Sequence, residues 1–565
     1  MPVRRPARVL LTALVLAASV VPTVPTLPAT GVAAASVPAG TSAFVALTPV
    51  RLADTRPGDD AVVGYSQVDG RTIRVPVRGV AGVPADASAV VVNLTAVAPA
   101  AAGFVTAHPS GEALPAASSL NVDRPGRVIS NLATVRIGTD GAIQLHASVA
   151  VSLVVDVVGA YVPRSTAVAA GRLETLPGGA RRALDTRDTA RPWAEGETRT
   201  VDLAAVGVPS GATAVVVSLV ATEGGVGYWT AFPNGGDRPR ASSLNLDEPG
   251  QTRSAQAIVA LPAGTRSFQV FAQTGGHLVV DVAGWFTGGN AAVTTDGLFV
   301  PSSPQRVLDT RTNFEIAPWG DTTIEFGTGS PFPADTAAVA LNVAATDPWY
   351  VGYVTAHPAG VARPGSSNLN ITSFDQIVAN HAVVRAGTRG LAVYTQSGTH
   401  LVADVAGWYL GRPEASLLPE ARAERSSPTT AVGIAAPSIG VQVAIGTHRN
   451  IDVVIDSGKA GLWLGSGAIG REEHNIYFAH RTSHGGVFRT IDRLVVGTTF
   501  SVVGADGRTY QYLVTRQDVV LPTPAELMKV VRTGGPSTVT LVACHPPGSI
   551  RYRLAVTGRL IGVAP

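Results

Sequence analysis

Cys544 is the only cysteine in this chain of 565 residues. It ends the alternating run 538–543, which predicts a β-strand, and the Pro-Pro-Gly sequence at 546–548 predicts where that strand stops. His480 ends another strand-like run 64 residues earlier, and Arg553 lies in a third run downstream. A thiol, a histidine and an arginine at strand ends are the groups that acyl transfer through a thioester requires.

Structural roles for the same residues have to be weighed against this chemistry. A single cysteine is most often a small buried side chain. An exported protein usually pairs its cysteines or has none, however, so a single unpaired thiol favours a chemical role. Zinc ligation by Cys544 with His474, His484 and His545 is a further alternative, but no pair of them has a recognised ligand spacing. We therefore expect neither a metal nor an organic cofactor.

Residues 434–565 resemble the sortases, the cysteine transpeptidases of Gram-positive surfaces. The similarity rests on a series of short motifs in the expected order: 479–482, 486–488, 494–497, 506–508, 519–522, 540–544 and 553–556. Among sortases the segment is most similar to class E, the type of high-GC actinobacteria, which often carries His-Pro after the cysteine.

This resemblance implies a β-barrel in which Cys544 is the nucleophile and His480 the general acid and base. It assigns Arg553 to the oxyanion or to substrate alignment. Arg551 would share a strand face with Arg553 and is not fully separated from it by sequence, although the family pattern favours Arg553. The implied substrate is a sorting signal of the Leu-(Pro/Ala)-X-Thr-Gly type, cut between Thr and Gly, with transfer of the acyl group to an amine of a cell-wall precursor.

The sequence departs from the family pattern at three points. Ala479 stands where class E members usually carry Gly, Ala543 stands where most sortases have Thr, and the stretch 456–475 is shorter than usual. None of these changes removes a catalytic group. They leave open a wall-adhesion or scaffold protein whose domain binds peptide without turnover, and a hydrolase in which water replaces the amine.

The first 35 residues have the pattern of an export signal. Arg4, Arg5 and Arg8 precede thirteen apolar residues at 9–21, and 33–35 fit a small-residue cleavage site. Thirteen apolar residues fall short of the roughly 20 that a membrane-spanning helix needs, so we expect cleavage and a secreted or cell-surface protein. Residues 27–31 spell Leu-Pro-Ala-Thr-Gly, which we attribute to chance composition because a sorting signal belongs at a C-terminus.

Between the signal and residue 412 the sequence repeats three times. We define copy 1 as 36–165, copy 2 as 166–289 and copy 3 as 290–412, with a period of 123 to 131 residues. Short Val/Ala/Thr-rich runs separated by Gly, Pro, Asn and Asp predict an antiparallel β-sandwich or barrel in each copy. The copies resemble repeat domains of large secreted actinobacterial proteins, which suggests a stalk that contacts cell-wall glycan.

Each copy opens with Asp-Thr-Arg, at 54–56, 185–187 and 309–311, and closes with an aspartate inside an apolar run, at Asp156, Asp281 and Asp404. Sugar or peptide binding is one explanation of the motif. We favour a buried ion pair or an Asx-type turn that each copy needs in order to fold. The closing aspartates are expected to satisfy neighbouring backbone.

The rest of the chain is an exposed linker at 413–433 and the C-terminal domain at 434–565. The net charge is only +3 and no Lys/Arg cluster is interleaved with aromatic residues, which argues against a nucleic-acid partner. The chain is thus predicted to be all-β, with three sandwich- or barrel-like repeats before a sortase-like barrel. Its expected partners are surface proteins that carry a sorting signal and a cell-wall precursor amine.

Overall fold

The computed structural model describes residues 37–564, apart from 59–60, 62, 313–319, 327–328, 349–350, 362, 375, 416–428, 449, 464–467, 470–473, 524–525 and 527–536. The predicted signal peptide, the Leu-Pro-Ala-Thr-Gly segment and most of the predicted linker lie outside the described residues. Within them the regular secondary structure is almost entirely β-strand, which confirms the all-β prediction. Alternating Val-rich runs form the strands, and frequent Gly and Pro residues end them. No described helix is long and apolar enough to cross a membrane.

Copy 1 consists of two sheets packed face to face around one core. Its strands are β1 (Ser42–Asp54), β2 (Ser66–Gln67), β3 (Thr72–Pro76), β4 (Ala89–Val97), β5 (Gly103–Pro109), β6 (Leu120–Val122), β7 (Val128–Arg136), β8 (Ala142–Ala147) and β9 (Ser152–Pro163). One sheet has the strand order β1-β9-β4-β7 and the other β2-β3-β8-β5-β6. Residues 89–97 of β4 are buried almost throughout, as expected for a central strand with both faces covered.

Copy 2 repeats this arrangement with the sheets β10-β18-β13-β16, to which β11 adds, and β12-β17-β14-β15. Its elements are β10 (Leu173–Thr175), β11 (Arg181–Asp185), β12 (Thr198–Asp202), a 3-10 turn (Ala204–Val206), β13 (Ala214–Thr222), β14 (Gly227–Pro233), β15 (Leu244–Leu246), β16 (Arg253–Ala260), β17 (Ser267–Ala272) and β18 (His277–Phe286).

Copy 3 has the sheets β19-β26-β21-β24 and β20-β25-β22-β23. Its elements are β19 (Phe299–Asp309), a 3-10 turn (Thr310–Thr312), β20 (Gly320–Ile324), β21 (Thr336–Thr346), β22 (Gly352–Pro358), β23 (Leu369–Ile371), β24 (Val378–Arg385), β25 (Leu391–Thr395) and β26 (His400–Leu410). A pairing of Ser42 with Phe299 joins β1 to β19. The sheet β1-β9-β4-β7 of copy 1 and the sheet β19-β26-β21-β24 of copy 3 therefore form one continuous sheet.

The three copies share one buried core. Phe44 and Tyr161 of copy 1, Phe286 of copy 2, and Phe299 and Tyr409 of copy 3 belong to one buried cluster. The rings of Phe44 and Phe286 stack at 4.0 Å, and those of Tyr161 and Phe299 at 4.2 Å. Offset aromatic pairs of this kind add to the free energy of burial, so each copy stabilises the other two.

A buried polar contact also joins all three copies. The ring of His381 in copy 3 contacts Thr134 Oγ1 of copy 1 at 3.1 Å through Nε2 and Gln256 Oε1 of copy 2 at 2.8 Å through Nδ1. The backbone N–H of His381 donates to Asn131 Oδ1 of copy 1. Burial lowers the pKa of His381 to about 4, so this node is uncharged at neutral pH.

The Asp-Thr-Arg motif forms the predicted ion pair and turn. In copy 1 the Arg56 backbone N–H and Nε both donate to Asp54 Oδ1, and Arg56 Nη2 donates to Asp54 Oδ2 at 2.6 Å. Copies 2 and 3 repeat the same bonds. The closing aspartates were expected to satisfy backbone, and Asp404 does accept from the Ser118 backbone N–H at 3.0 Å. Each of them also pairs with an arginine: Asp156 with the Arg51 guanidinium at 3.0 Å, and Asp281 and Asp404 with equivalent arginines. A buried carboxylate without a cation costs free energy. Each copy therefore keeps an arginine beside its buried aspartates, and this explains why the Asp-Thr-Arg motif recurs.

The C-terminal segment is a closed barrel with the strand order β27-β28-β29-β30-β33-β34-β32-β31. Its elements are β27 (Ala431–Ala436), a 3-10 turn (Pro437–Ile439), β28 (Val441–Gly446), the helix α1 (Ile451–Ile455), β29 (Ala460–Leu462), β30 (His474–Phe478), a 3-10 turn (Ile491–Arg493), β31 (Thr499–Gly504), β32 (Thr509–Val520), β33 (Thr538–His545) and β34 (Tyr552–Ala564). The barrel has its own core of aromatic and aliphatic side chains. This confirms the barrel that the resemblance implied.

Candidate active site

Three neighbouring strands of the barrel, β30, β33 and β34, bring the predicted site residues to one level. Phe478 of β30 pairs in register with Val542 of β33, and Val542 pairs with Ala555 of β34. His480, Cys544 and Arg553 stand two residues beyond these three positions, and His480 lies just after the end of β30. Because side chains alternate between the faces of a sheet, these three share the face of Phe478, Val542 and Ala555. We call the row His480–Cys544–Arg553 the site row.

The alternation can be checked on the residues in between. Ala479, Ala543 and Leu554 each belong to the barrel core, on the inner face. Phe478, Val542 and Ala555 instead join a separate apolar cluster on the outer face. The site row therefore lies on the outside of the barrel, where a peptide can reach it.

Cys544 and Arg553 are directly paired residues of the β33–β34 hairpin. Side chains at such positions have Cβ atoms about 4.5–5.5 Å apart. Both residues are half-buried, and the Arg553 guanidinium donates to the carbonyl oxygens of Ile550 and Tyr552 at 3.0 and 3.1 Å. Arg551 precedes β34 and is exposed, so the register assigns the position opposite the thiol to Arg553.

His480 follows β30, and the backbone N–H of Ala479 still donates to Val542 O at 3.2 Å. Its Nε2 lies 2.7 Å from Asp456 Oδ1, and its Nδ1 lies 2.9 Å from Ser483 Oγ. Asp456 comes at the C-terminal end of α1, 24 residues before the histidine. A carboxylate can only accept, so Nε2 carries a proton in this arrangement and a neutral ring accepts from Ser483 at Nδ1.

Sequence reasoning missed Arg481, whose side chain is only 1% exposed. Its guanidinium donates to Cys544 O at 3.5 Å, lies 2.7 Å from His545 Nδ1, and pairs with Asp492 at 2.7 Å. Burial and the adjacent guanidinium lower the pKa of His545, so its ring stays neutral and can accept that bond. Arg481 therefore links the end of β33, which carries the thiol, to the loop that carries His480. The one signal in the sequence was its position directly after the histidine.

The two substitutions that separate the chain from the family pattern face the interior. Ala479 and Ala543 are 5% and 2% exposed and contact the barrel core. Their side chains point away from the site row because they are out of phase with it. Their effect on the site is therefore indirect, through packing.

The histidines proposed as zinc ligands do not converge on Cys544. His474 Nε2 lies 2.7 Å from Thr540 Oγ1, and His545 contacts Arg481. His484 instead stacks beside His480, with ring centroids 4.6 Å apart, and its Nδ1 lies 3.7 Å from Asp456 Oδ1.

Comparison with known proteins bears on this barrel alone. Residues 434–561 match the model of the sortase domain. The matched residues run from the second half of β27 to most of β34 and include every residue of the site row. The prediction of a sortase-like domain at 434–565 is thereby confirmed at the level of the domain. Its class E character and the family of the three copies stay predictions. No curated protein matches the chain.

Solved structures that are similar to the chain include sortases. Sortase E1 from Streptomyces coelicolor, determined with a tripeptide in the active site, is 22% identical, with a TM-score of 0.22 over 24% of this chain and 91% of that one. Sortase C1 from Streptococcus agalactiae is 27% identical, with a TM-score of 0.21 over 23% and 67%. The SrtA sortase from Actinomyces oris is 20% identical, with a TM-score of 0.23 over 26% and 90%. Because these scores are low, the function of the barrel has to be argued from the domain match and from the geometry of the site row.

Proposed function

We propose that the sortase domain is a cysteine transpeptidase that cleaves a sorting signal between Thr and Gly. The observation that carries the proposal is the site row, in which a thiol lies between a histidine and an arginine on adjacent strands of the outer barrel face. A thiol suits this reaction because its acyl product, a thioester, can be resolved by an amine.

In the proposed reaction Cys544 gives its proton to His480, and the sulfur attacks the threonine carbonyl carbon of the signal. The carbon–nitrogen bond to glycine then breaks, and His480 gives that proton to the departing amine. An amine attacks the thioester and gives a proton to His480, the carbon–sulfur bond breaks, and the Cys544 thiolate takes the proton back. In this proposal the Arg553 guanidinium, whose strand position is opposite Cys544, stabilises the oxyanion that forms in both steps.

His480 has to give up a partner before it can act. Both of its ring nitrogens are engaged, one by Asp456 and one by Ser483. Proton transfer to the substrate amine requires one of these bonds to open. Asp456 and Ser483 are exposed, so either contact can be exchanged for a contact with substrate at low cost.

We propose that the apolar residue of a sorting signal packs against the apolar cluster on the face of the site row. This cluster consists of Ile476, Val520, Val542 and Ala555, with the half-buried rings of Trp463 and Phe478 packed against it at 5.2 Å from each other. We propose that it takes the leucine side chain, because burial of an aliphatic side chain contributes roughly 1.5–3 kcal/mol.

We further propose that the protein acts at the cell surface, after export directed by residues 1–35. Its partners would be proteins that bear a sorting signal and a cell-wall precursor amine, and the three copies would contact wall glycan. The buried carboxylates of Asp54 and Asp185 favour a structural function for the Asp-Thr-Arg motif itself.

Intact-mass spectrometry tests the reaction. The full chain is incubated with peptides that carry Leu-Pro-X-Thr-Gly or Leu-Ala-X-Thr-Gly, with Cys544→Ala and a peptide of scrambled sequence as controls. We expect an adduct equal in mass to the peptide through Thr, less one water, on the wild type alone. A diamino acceptor should then release it as the amide.

Each outcome has a defined meaning. Release by water at the same rate with and without the amine would replace transpeptidation by hydrolysis. If no adduct forms and Cys544 alkylates like an ordinary thiol, the proposal fails, and the chain is better described as a wall-adhesion scaffold.

A further inference from the structure

We propose that Asp456, His480 and His484 form a binding site for a divalent transition metal such as Zn²⁺, and that the bound metal holds the domain in an inactive state. Among the described residues, these three offer ligand atoms that all lie within 4.8 Å of one another. Two imidazoles and one carboxylate are a ligand set that zinc accepts, with a fourth position left for water.

The ligand atoms are close to the separations of a metal site and reach them after a small adjustment. In a tetrahedral zinc site with bonds of about 2.0–2.1 Å, ligand atoms are about 3.3 Å apart. Asp456 Oδ1 is 2.7 Å from His480 Nε2 and 3.7 Å from His484 Nδ1, on either side of that value. The two histidine rings are tilted by only 32° with centroids 4.6 Å apart, so both present nitrogen atoms to the same carboxylate oxygen.

The segments that carry the ligands can make the remaining adjustment. Asp456 and His484 are both exposed, at the end of α1 and in the turn after His480. The backbone of His484 has a φ of 47°, in the left-handed region, and its carbonyl oxygen lies close to Gly458 in the turn after Asp456. The two loops that carry Asp456 and His484 are therefore already in contact before any ion binds.

Occupation of the site conflicts with the proposed catalysis. The metal takes the place of the proton on His480 Nε2, which is released to solvent, and the carboxylate of Asp456 exchanges a hydrogen bond for a metal bond. His480 is then unable to transfer a proton to the departing amine through that nitrogen. This inhibitory consequence rests on the proposed function, whereas binding of the metal does not.

Binding is measured on the full chain with Co²⁺, which reports its ligands through its visible absorption bands, and with Zn²⁺ by calorimetry. We expect one equivalent to bind to the wild type. His484→Ala should weaken binding by at least about 10–100-fold, the range typical of losing even an outer-shell partner. Asp456→Asn, which keeps the shape of the side chain, should weaken it as well.

The matched control is His448→Ala. His448 is also an exposed histidine close to α1, and it contacts the backbone of Asn450, outside the cluster. This variant should bind the metal as the wild type does. Cys544→Ala should also retain binding although it removes the proposed nucleophile, so a failure of the enzyme proposal and a failure of the metal site can be told apart.

Inhibition is measured as the metal concentration that halves each variant's own metal-free rate of thioester formation. That concentration should rise for His484→Ala by the same factor as the dissociation constant. Absence of binding by the wild type at millimolar metal, or equal affinity of wild type and His484→Ala, would overturn the site. Binding without inhibition would overturn the inactive state.

Discussion

Cys544 and Arg553 lie directly opposite each other in the β33–β34 hairpin, so the only thiol of the chain and a guanidinium leave the sheet on the same face. His480 follows β30, two residues beyond the pair of Phe478 with Val542. Three strands that meet only in the folded barrel thus set the order histidine, cysteine, arginine.

Arg553 and Arg551 should differ sharply in their effect on catalysis. An oxyanion donor is typically worth a factor of about 10²–10³ in rate, so we expect Arg553→Ala to lower kcat by that factor. Arg551 precedes the strand and is exposed, and Arg551→Ala should leave kcat nearly unchanged. The measurement is single-turnover thioester formation by mass spectrometry. Equal losses in the two variants would contradict the assignment made from the register.

Asp456 should have a modest effect on the rate when metal is removed by a chelator. Its bond to His480 is short, but its side chain is 52% exposed, and exposed ion pairs contribute at most about 1 kcal/mol. Asp456→Asn should therefore lower kcat/KM by no more than about fivefold, whereas His480→Ala should cost about 10²–10⁴-fold. A loss as large as that of His480→Ala would make Asp456 essential to the chemistry.

Replacement of Arg481 should loosen the end of β33. Arg481→Met removes a buried guanidinium and leaves Cys544 O and His545 Nδ1 without this donor. An unmade hydrogen bond of a buried group costs about 1–3 kcal/mol, so unfolding of the barrel should occur at lower urea concentration. Alkylation of Cys544 as a function of urea reports this barrel selectively, because the chain has no other thiol. Arg489→Met is a suitable control, since Arg489 is exposed. An unchanged urea midpoint for Arg481→Met would show that the guanidinium does not stabilise the end of β33.

His381 should make the three-copy body sensitive to acid. Its pKa is about 4 in the folded protein and 6.5 as the ordinary value, so the unfolded chain binds more protons in between. The contribution of His381 to the free energy of unfolding is then fully present above pH 6.5, decreases as the pH falls towards 4, and no longer changes below pH 4. At about 1.4 kcal/mol per pKa unit, the full loss is roughly 3 kcal/mol.

The test compares urea unfolding of wild type and His381→Gln, followed by tryptophan fluorescence, at pH 7 and at pH 4.5. The variant should lose less stability between the two pH values than the wild type, even if it is less stable at pH 7. His448→Ala, which alters an exposed histidine, should behave as the wild type does. An identical pH dependence in wild type and His381→Gln would exclude His381 as the source.

The sequence by itself determined the all-β class and the choice of Cys544, His480 and Arg553 as site residues. Alternation of apolar and polar residues is a local property, and so is the stop that Pro-Pro-Gly imposes after Cys544. The threefold repetition and the recurring Asp-Thr-Arg motif were equally legible. The pairing of each Asp with its Arg two residues later followed from turn geometry.

Only the tertiary structure decided which residues are neighbours. The register of β30 with β33 is set by hydrogen bonds between segments 64 residues apart, and a period of two residues does not encode it. For the same reason Asp456 and Arg481 escaped notice, since their partners lie 24 to 64 residues away. The shared core of the three copies depends on contacts such as that of Thr134 with His381, 247 residues apart. Hydrophobic and aromatic burial favours such a core without specifying it in any one copy.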